Sequence, residues 1–244
     1  MKEQLQKDFE NIIKNLSLSQ RDIEIKKFYL DSFINKGFPS RKEEDWKFSD
    51  LNQIIKKNIG ELSFFTDYTS TNKIDTSVYV DGLEHNKIVF INGRIEKIDF
   101  NCEKKDQIEI IDQSETIDRF TNKNSLCDLN NAFTNKSFKI VVKKGYQLEK
   151  PLIIYHTTNS NIWSKNINLR LNFELDKDSS LRLIDLFNDT SEKNFLNIFY
   201  NFDLKENSIL KNYKLDSFEN KNIKYSYNNI EQDKNSISET FILS

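Results

Sequence analysis

The chain has 244 residues, enough for one large domain or a small domain with a larger one, and its 37% hydrophobic content with 19 Phe supports a real core. Lys and Arg number 36 against 38 Asp and Glu, so the basic excess of a nucleic-acid binder is missing. No run approaches the roughly 18–20 apolar residues of a membrane span, and Met1–Glu10 is polar with mixed charge, unlike a secretory or transit leader. These features predict a cytoplasmic protein with no membrane partner. Cys102 and Cys127 stand 25 residues apart, which removes a disulfide framework and a Cys-rich metal site from consideration. Usage leans toward Asn, Lys, Ile and Phe with Ala132 the one alanine, a bias of AT-rich coding that leaves polar clusters little diagnostic weight.

Three helices are predicted over residues 1–60. Leu5, Phe9, Ile12, Ile13 and Leu16 share a stripe about 100° wide. Ser19 with Asp22 marks a second helix start; Ile23, Tyr29, Leu30, Phe33 and Ile34 form its apolar face, and Gly37 followed by Pro39 ends it. Leu51, Ile54, Ile55 and Ile59 define a shorter third helix that stops at Gly60.

Residues 61–137 read as a mixed lead-in. Lys87–Ile91 is a short apolar run, and Asn92-Gly93 behind it signals a tight hairpin turn. Ser114–Phe120 and Leu126–Phe133 are expected to be short helices.

From Phe138 a rhythm sets in. Apolar runs start at Phe138, Leu152, Ile167, Leu181, Phe195, Ser208, Ile223 and Ile237, at intervals of 13 to 15 residues. Within them the strand period is plain: Ile167, Leu169, Leu171, Phe173 and Leu175 alternate with polar residues. Such spacing suits a repeat architecture, although a meander or sandwich gives it too. Gly145 is the one glycine after Gly93, so tight hairpins would need Asn at positive φ; longer polar corners favour a parallel β-helix with two strands per coil.

Five scattered glycines provide no phosphate cradle. His85 and His156 lack ligand partners at sequence spacing and read as a loop and a strand-end histidine. Cys102 lies in a polar loop, and Cys127 reads as a small buried hydrophobe. Asp176 with Asp178, and Asp185 with Asp189, read mostly as corner residues. No catalytic constellation is complete, so the chain is expected not to be an enzyme. The alternative is a β-helical enzyme acting on a carbohydrate or related polymer, which would need carboxylates converging on one face.

The segment Gly37-Phe38-Pro39-Ser40-Arg41-Lys42-Glu43-Glu44-Asp45-Trp46-Lys47-Phe48-Ser49-Asp50-Leu51 resembles the N-terminal signature of the SufD family. Ile88–Arg94, Asp128–Phe133 and Lys144–Leu152 are similar to further family stretches in the same order. The resemblance implies an N-terminal helical domain (1–60), a right-handed parallel β-helix (138–244) and a missing C-terminal helical domain. It also implies a non-enzymatic scaffold role in iron–sulfur cluster assembly, with SufB-like and SufC-like partners. Its C-terminal histidine and cysteine positions have no counterpart here, so no cofactor is expected in this chain alone. Within the signature, Gly37, Pro39, Arg41, Glu44 and Trp46 read as structural: Pro39 sets a turn, Ser40 with Glu43 suits a capping box, and Trp46 staples helices to solenoid. A β-helix that stops at Ser244 is further expected to leave Ile237, Phe241 and Leu243 as an open core rung, inviting a homodimer through that end.

Overall fold

The computed structural model describes residues 2–16, 18–64, 79–104, 106–113, 124–134, 137–158, 162–189, 193–215 and 222–243. It is an N-terminal helical region followed by a parallel β-solenoid of about three turns. The helix expected over Ser114–Phe120 lies outside the described residues.

Helix α1 spans Lys2–Asn15, α2 Gln20–Lys36 and α3 Leu51–Asn58. Their ends follow local chemistry. Ser19 caps α2 by accepting from the Asp22 amide, and Asp50 caps α3 by accepting from the Gln53 amide. Gly37 ends α2 at φ 74°, its amide donating back to the Phe33 carbonyl. The buried face of α2 carries Tyr29, Leu30 and Phe33 as expected, but Asp22 and Lys26 are buried with them. A fourth helix, α4 (Ser125–Phe133), packs between this unit and the solenoid, and none of its residues is exposed. Leu5, Phe9, Phe33, Leu51, Leu129 and Phe133 form one core with Phe195 of the solenoid. No helix among the described residues is long and apolar enough to cross a membrane.

The strands are β1 (Asn86–Ile91), β2 (Arg94–Asp99), β3 (Ile108–Asp112), β4 (Ser137–Val142), β5 (Leu152–Thr158), β6 (Asn166–Leu175), β7 (Ser180–Asp189), β8 (Phe195–Leu204), β9 (Ile209–Leu215), β10 (Ile223–Gln232) and β11 (Ile237–Leu243). They form two sheets, ordered β11-β9-β7-β5-β1-β2 and β10-β8-β6-β4-β3. From β4 onward successive strands alternate between sheets and each pairs in parallel with the strand two ahead. The fourteen-residue rhythm is therefore half a coil. The register advances 29 residues from Asn166 to Phe195, then 28 to Ile223.

Two departures from the sequence reading follow from pairing. The sheets begin before residue 138: β1 pairs in parallel with β5, while β2 and β3 lie antiparallel at the two outer edges. The corners are also tight, not long. Asp178, Asn207 and Asn235 turn successive coils at φ near 60°, and Asn207 donates to Asp178 (2.8 Å) as Asn235 does to Asn207 (3.2 Å). Short Asx side chains tolerate the left-handed conformation and bond along the stack, which supplies what glycine would otherwise provide.

Asn92 and Gly93 both adopt positive φ, 52° and 84°, the type I′ geometry that suits the β1–β2 hairpin. A Cβ on Gly93 would stand 2.6 Å from Ile167 Cγ2, in the solenoid core. Gly93→Ala combines backbone strain with that clash and should cost about 2 kcal/mol. Chemical denaturation reads this directly; a loss within error of zero would mean that the turn shifts freely.

The last strand corrects one expectation. Register through β9 places Ser238, Thr240 and Ile242 inward, so Ile237, Phe241 and Leu243 face outward and are not core residues. Phe241 is 70% exposed and leans on Tyr213 of the same outer face. Successive strand residues point to opposite faces, so a single step of register decides which set is the core.

Candidate functional site

The signature residues fall on the joint between α2 and α3. Gly37 ends α2, and buried Pro39 accepts the Leu51 amide through its carbonyl (3.3 Å), closing the loop. The Glu43 carboxylate accepts from the Ser40 amide (3.1 Å), while Ser40 Oγ takes the Lys42 amide (3.4 Å), so only one arm of a capping box is present. Glu44 and Trp46 bound a single 3-10 turn; Arg41 and Glu44 are exposed. Trp46 is half-buried with its ring 5.8 Å from that of Tyr225 on β10, linking the loop to the solenoid. The structure brings Gly37, Pro39 and Trp46 into the joint and leaves Arg41 and Glu44 at the surface.

The stretch from Lys144 to Leu152 is clamped by a residue that sequence reasoning passed over. Glu103, nearly buried, accepts from Asn86 Nδ2 (2.7 Å), Tyr146 OH (2.5 Å) and the Glu149 and Lys150 amides (3.2 and 3.0 Å). Burial pushes its carboxyl up, but these donors outweigh that and hold it below the usual carboxylate range.

His85 is a structural loop histidine. Its Nδ1–H donates to the Leu83 carbonyl (2.6 Å), which leaves Nε2 to accept from Tyr155 OH (2.8 Å). Cys102 is exposed and Cys127 buried on α4. Among the described residues no three His, Cys, Asp or Glu side chains come together as metal ligands. Asp176 and Asp178 are corner residues; Asp176 accepts the Lys177 amide and Asp178 the Asn207 side chain.

Asp185 corrects the corner reading. It sits in mid-β7, faces the solenoid interior and is 1% exposed. His156 Nε2 lies 2.7 Å from its Oδ1, and Tyr200 OH donates to the carboxylate at 2.8 Å. The His156 ring stacks between Phe90 (5.3 Å) and Phe187 (4.3 Å). Lys214, in register with Asp185 one coil on, sets its ammonium 4.8 Å from the centre of the Tyr200 ring and donates to Asn228 Oδ1 (3.0 Å) and Ser226 Oγ (2.5 Å). Burial drives the Asp185 carboxyl up, yet His156, Lys214 and Tyr200 together bring it below its ordinary value. His156, Asp185 and Tyr200 are sealed at 2% exposure or less, so the trio binds charge inside the fold instead of presenting an acid–base pair at the surface. The register explains the meeting: Asp185 pairs with Ile154, two residues before His156 on the same inward face, so the two side chains are diagonal neighbours across β5 and β7.

A second buried charge lies in the helical unit. Lys26, 1% exposed, donates to the carbonyls of Asn131 (3.3 Å) and Thr134 (2.6 Å) at the C-terminal end of α4. Burial, reinforced by the Arg170 charge and opposed by Asp22, pushes its pKa down to about 7. α4 is stitched to the solenoid by amides as well: Asn130 Nδ2 donates to the Leu169 and Asn197 carbonyls, and Asn197 Nδ2 returns a bond to the Leu126 carbonyl.

No family model matches the chain, and no curated protein matches it.

Proposed function

We propose that this chain is a SufD-like scaffold subunit of iron–sulfur cluster assembly, acting through SufB-like and SufC-like partners and not as an enzyme. The observation that carries the reading is where the four resembling stretches fall. Gly37–Leu51 forms the loop that meets the solenoid at Tyr225. Ile88–Arg94 is the first parallel strand with the turn that packs on Ile167. Asp128–Phe133 lies on the helix between the two units, and Lys144–Leu152 is the clamped corner into β5. Each is a joint of a helical unit followed by a parallel solenoid, the architecture that the resemblance implies. Joints constrain sequence more tightly than regular coils do, because a turn or an interlocking contact admits few side chains.

A scaffold acts by holding partners, so recovery of partners is its direct test. Tagged full-length gene product, purified from its own cells, should bring down SufB and SufC homologues in fixed ratio. Clean recovery of the bait with neither homologue would overturn the proposal.

A further inference from the structure

The outer face of the β11-β9-β7-β5-β1-β2 sheet carries apolar side chains where solvent would favour polar ones. Register aligns Ile153, Ile184, Tyr213 and Phe241 in one outward row and Tyr155, Leu186, Leu215 and Leu243 in the next. At the β5 end the chain covers this stripe itself. The Tyr79 ring lies 5.0 Å from that of Tyr155, whose hydroxyl accepts the Val80 amide (3.1 Å). Toward β11 exposure rises: Ile184 and Leu186 are half-buried, whereas Tyr213, Phe241 and Leu243 are 39%, 70% and 65% exposed. Contiguous apolar side chains of this size mark an interaction surface.

The charges beside the stripe point to its occupant. The adjoining outward row reads Arg182 on β7, Lys211 on β9 and Glu239 on β11. Lys211 bridges to Glu239 (3.5 Å), and Arg182 donates to the Glu149 carbonyl (2.7 Å). A two-fold axis running along β9, in the plane between two such faces, reverses the strand order, so that β7 of one copy lies over β11 of the other. Arg182 then meets the second copy's Glu239, and Ile184 and Leu186 meet its Phe241 and Leu243. Tyr213 and Leu215 meet their own counterparts, while each Lys211 near the axis keeps its Glu239 bridge. Every off-axis contact occurs twice, as an isologous interface requires. Strands stacked in this way suit aligned sheet packing at about 10 Å.

We propose that a second copy of this chain docks here, outer sheet face on outer sheet face, with Tyr213 and Phe241 as aromatic anchors. The contact joins faces side by side and uses no strand pairing between copies. Three strands about 4.8 Å apart and some seven residues long present a face of roughly 300 Å². That is at the small end of specific interfaces, so the dimer forms in the micromolar range and exchanges readily with monomer.

Sedimentation equilibrium of the full chain, from low to high micromolar concentration, tests this. A reversible monomer–dimer equilibrium is expected, weakened at least tenfold by Phe241→Lys and several-fold by Glu239→Arg. Both side chains are exposed, so each variant should keep the wild-type melting temperature and circular dichroism. The charge-swapped double variant, Arg182→Glu with Glu239→Arg, should regain what Glu239→Arg alone loses, a rescue that an end-to-end contact would not give. A strict monomer at every concentration would overturn the proposal and leave the face to a different partner. A dimer that neither single variant weakens, or a swap that restores nothing, would overturn it as well.

Discussion

Replacing Asp185 with alanine is expected to lower the unfolding free energy by about 3–5 kcal/mol, the usual cost of removing one partner from a buried charge pair. The His156 and Tyr200 donors would lose the acceptor they share, and Lys214 would lose a nearby carboxylate charge. The effect should be specific to breaking the set. A double variant, Asp185→Leu with Lys214→Met, substitutes apolar side chains for both charges and should recover most of the loss, because well-packed apolar replacements of buried pairs are often neutral. The pH dependence has a definite sign. The folded-state carboxyl lies below its ordinary value, so its contribution is fully present above about pH 4 and is lost as the pH falls through the folded pKa. Denaturant titrations at a series of acid pH values should show wild type losing stability in that window more steeply than Asp185→Asn. Equal slopes would mean that the carboxylate is not the charged partner the geometry describes.

Lys26 should produce a trend of the same sign on the alkaline side. Its pKa is about 7 in the folded protein against 10.5 for a free lysine side chain. Below pH 7 both states are charged and the burial penalty is fully felt; between there and about 10.5 the folded state has shed a proton that the unfolded state keeps. Stability therefore rises with pH across that interval, by at most about 1.4 kcal/mol per unit and on the order of 5 kcal/mol in all. Lys26→Met has no such proton. The difference between wild-type and variant stabilities should climb from pH 7 to 10, and a flat difference would show that the lysine stays charged against the α4 carbonyls. At pH 7 itself the variant exchanges relief of a buried charge for loss of two hydrogen bonds to Asn131 and Thr134, which keeps its net change small beside the pH trend.

What the sequence made legible was local or periodic. Ser19 and Gly37 bracket α2, Asn92-Gly93 turns the first hairpin, and the fourteen-residue rhythm marks eight strands within a residue or so of their observed starts. What it hid depended on register. His156 and Asp185 meet only because parallel pairing of β5 with β7 makes them diagonal neighbours on the inward face, Asp185 opposite Ile154 and His156 opposite Phe187. Phe241 and Leu243 read as core because β11 alternates well, but only pairing with β9 reveals which face is inward. The helix pattern gives Lys26 no special place; its role appears once α4, about a hundred residues later, brings its terminal carbonyls over it. Glu103 was hidden for a similar reason, since two of its four donors are backbone amides that no side-chain motif encodes.

The resemblance to a cluster-assembly scaffold and the placement of its four stretches on the joints of the fold lead to one functional claim, and loss of the gene tests it most directly. Disrupting the gene in its own cells should depress the activity of several unrelated iron–sulfur enzymes together, while enzymes without clusters keep theirs. Restoring the wild-type gene should return those activities, and restoring Asp185→Ala, with its destabilised solenoid, should return them only in part. Iron–sulfur enzyme activities that stay at wild-type levels after disruption, under iron limitation as well as in rich medium, would contradict the account.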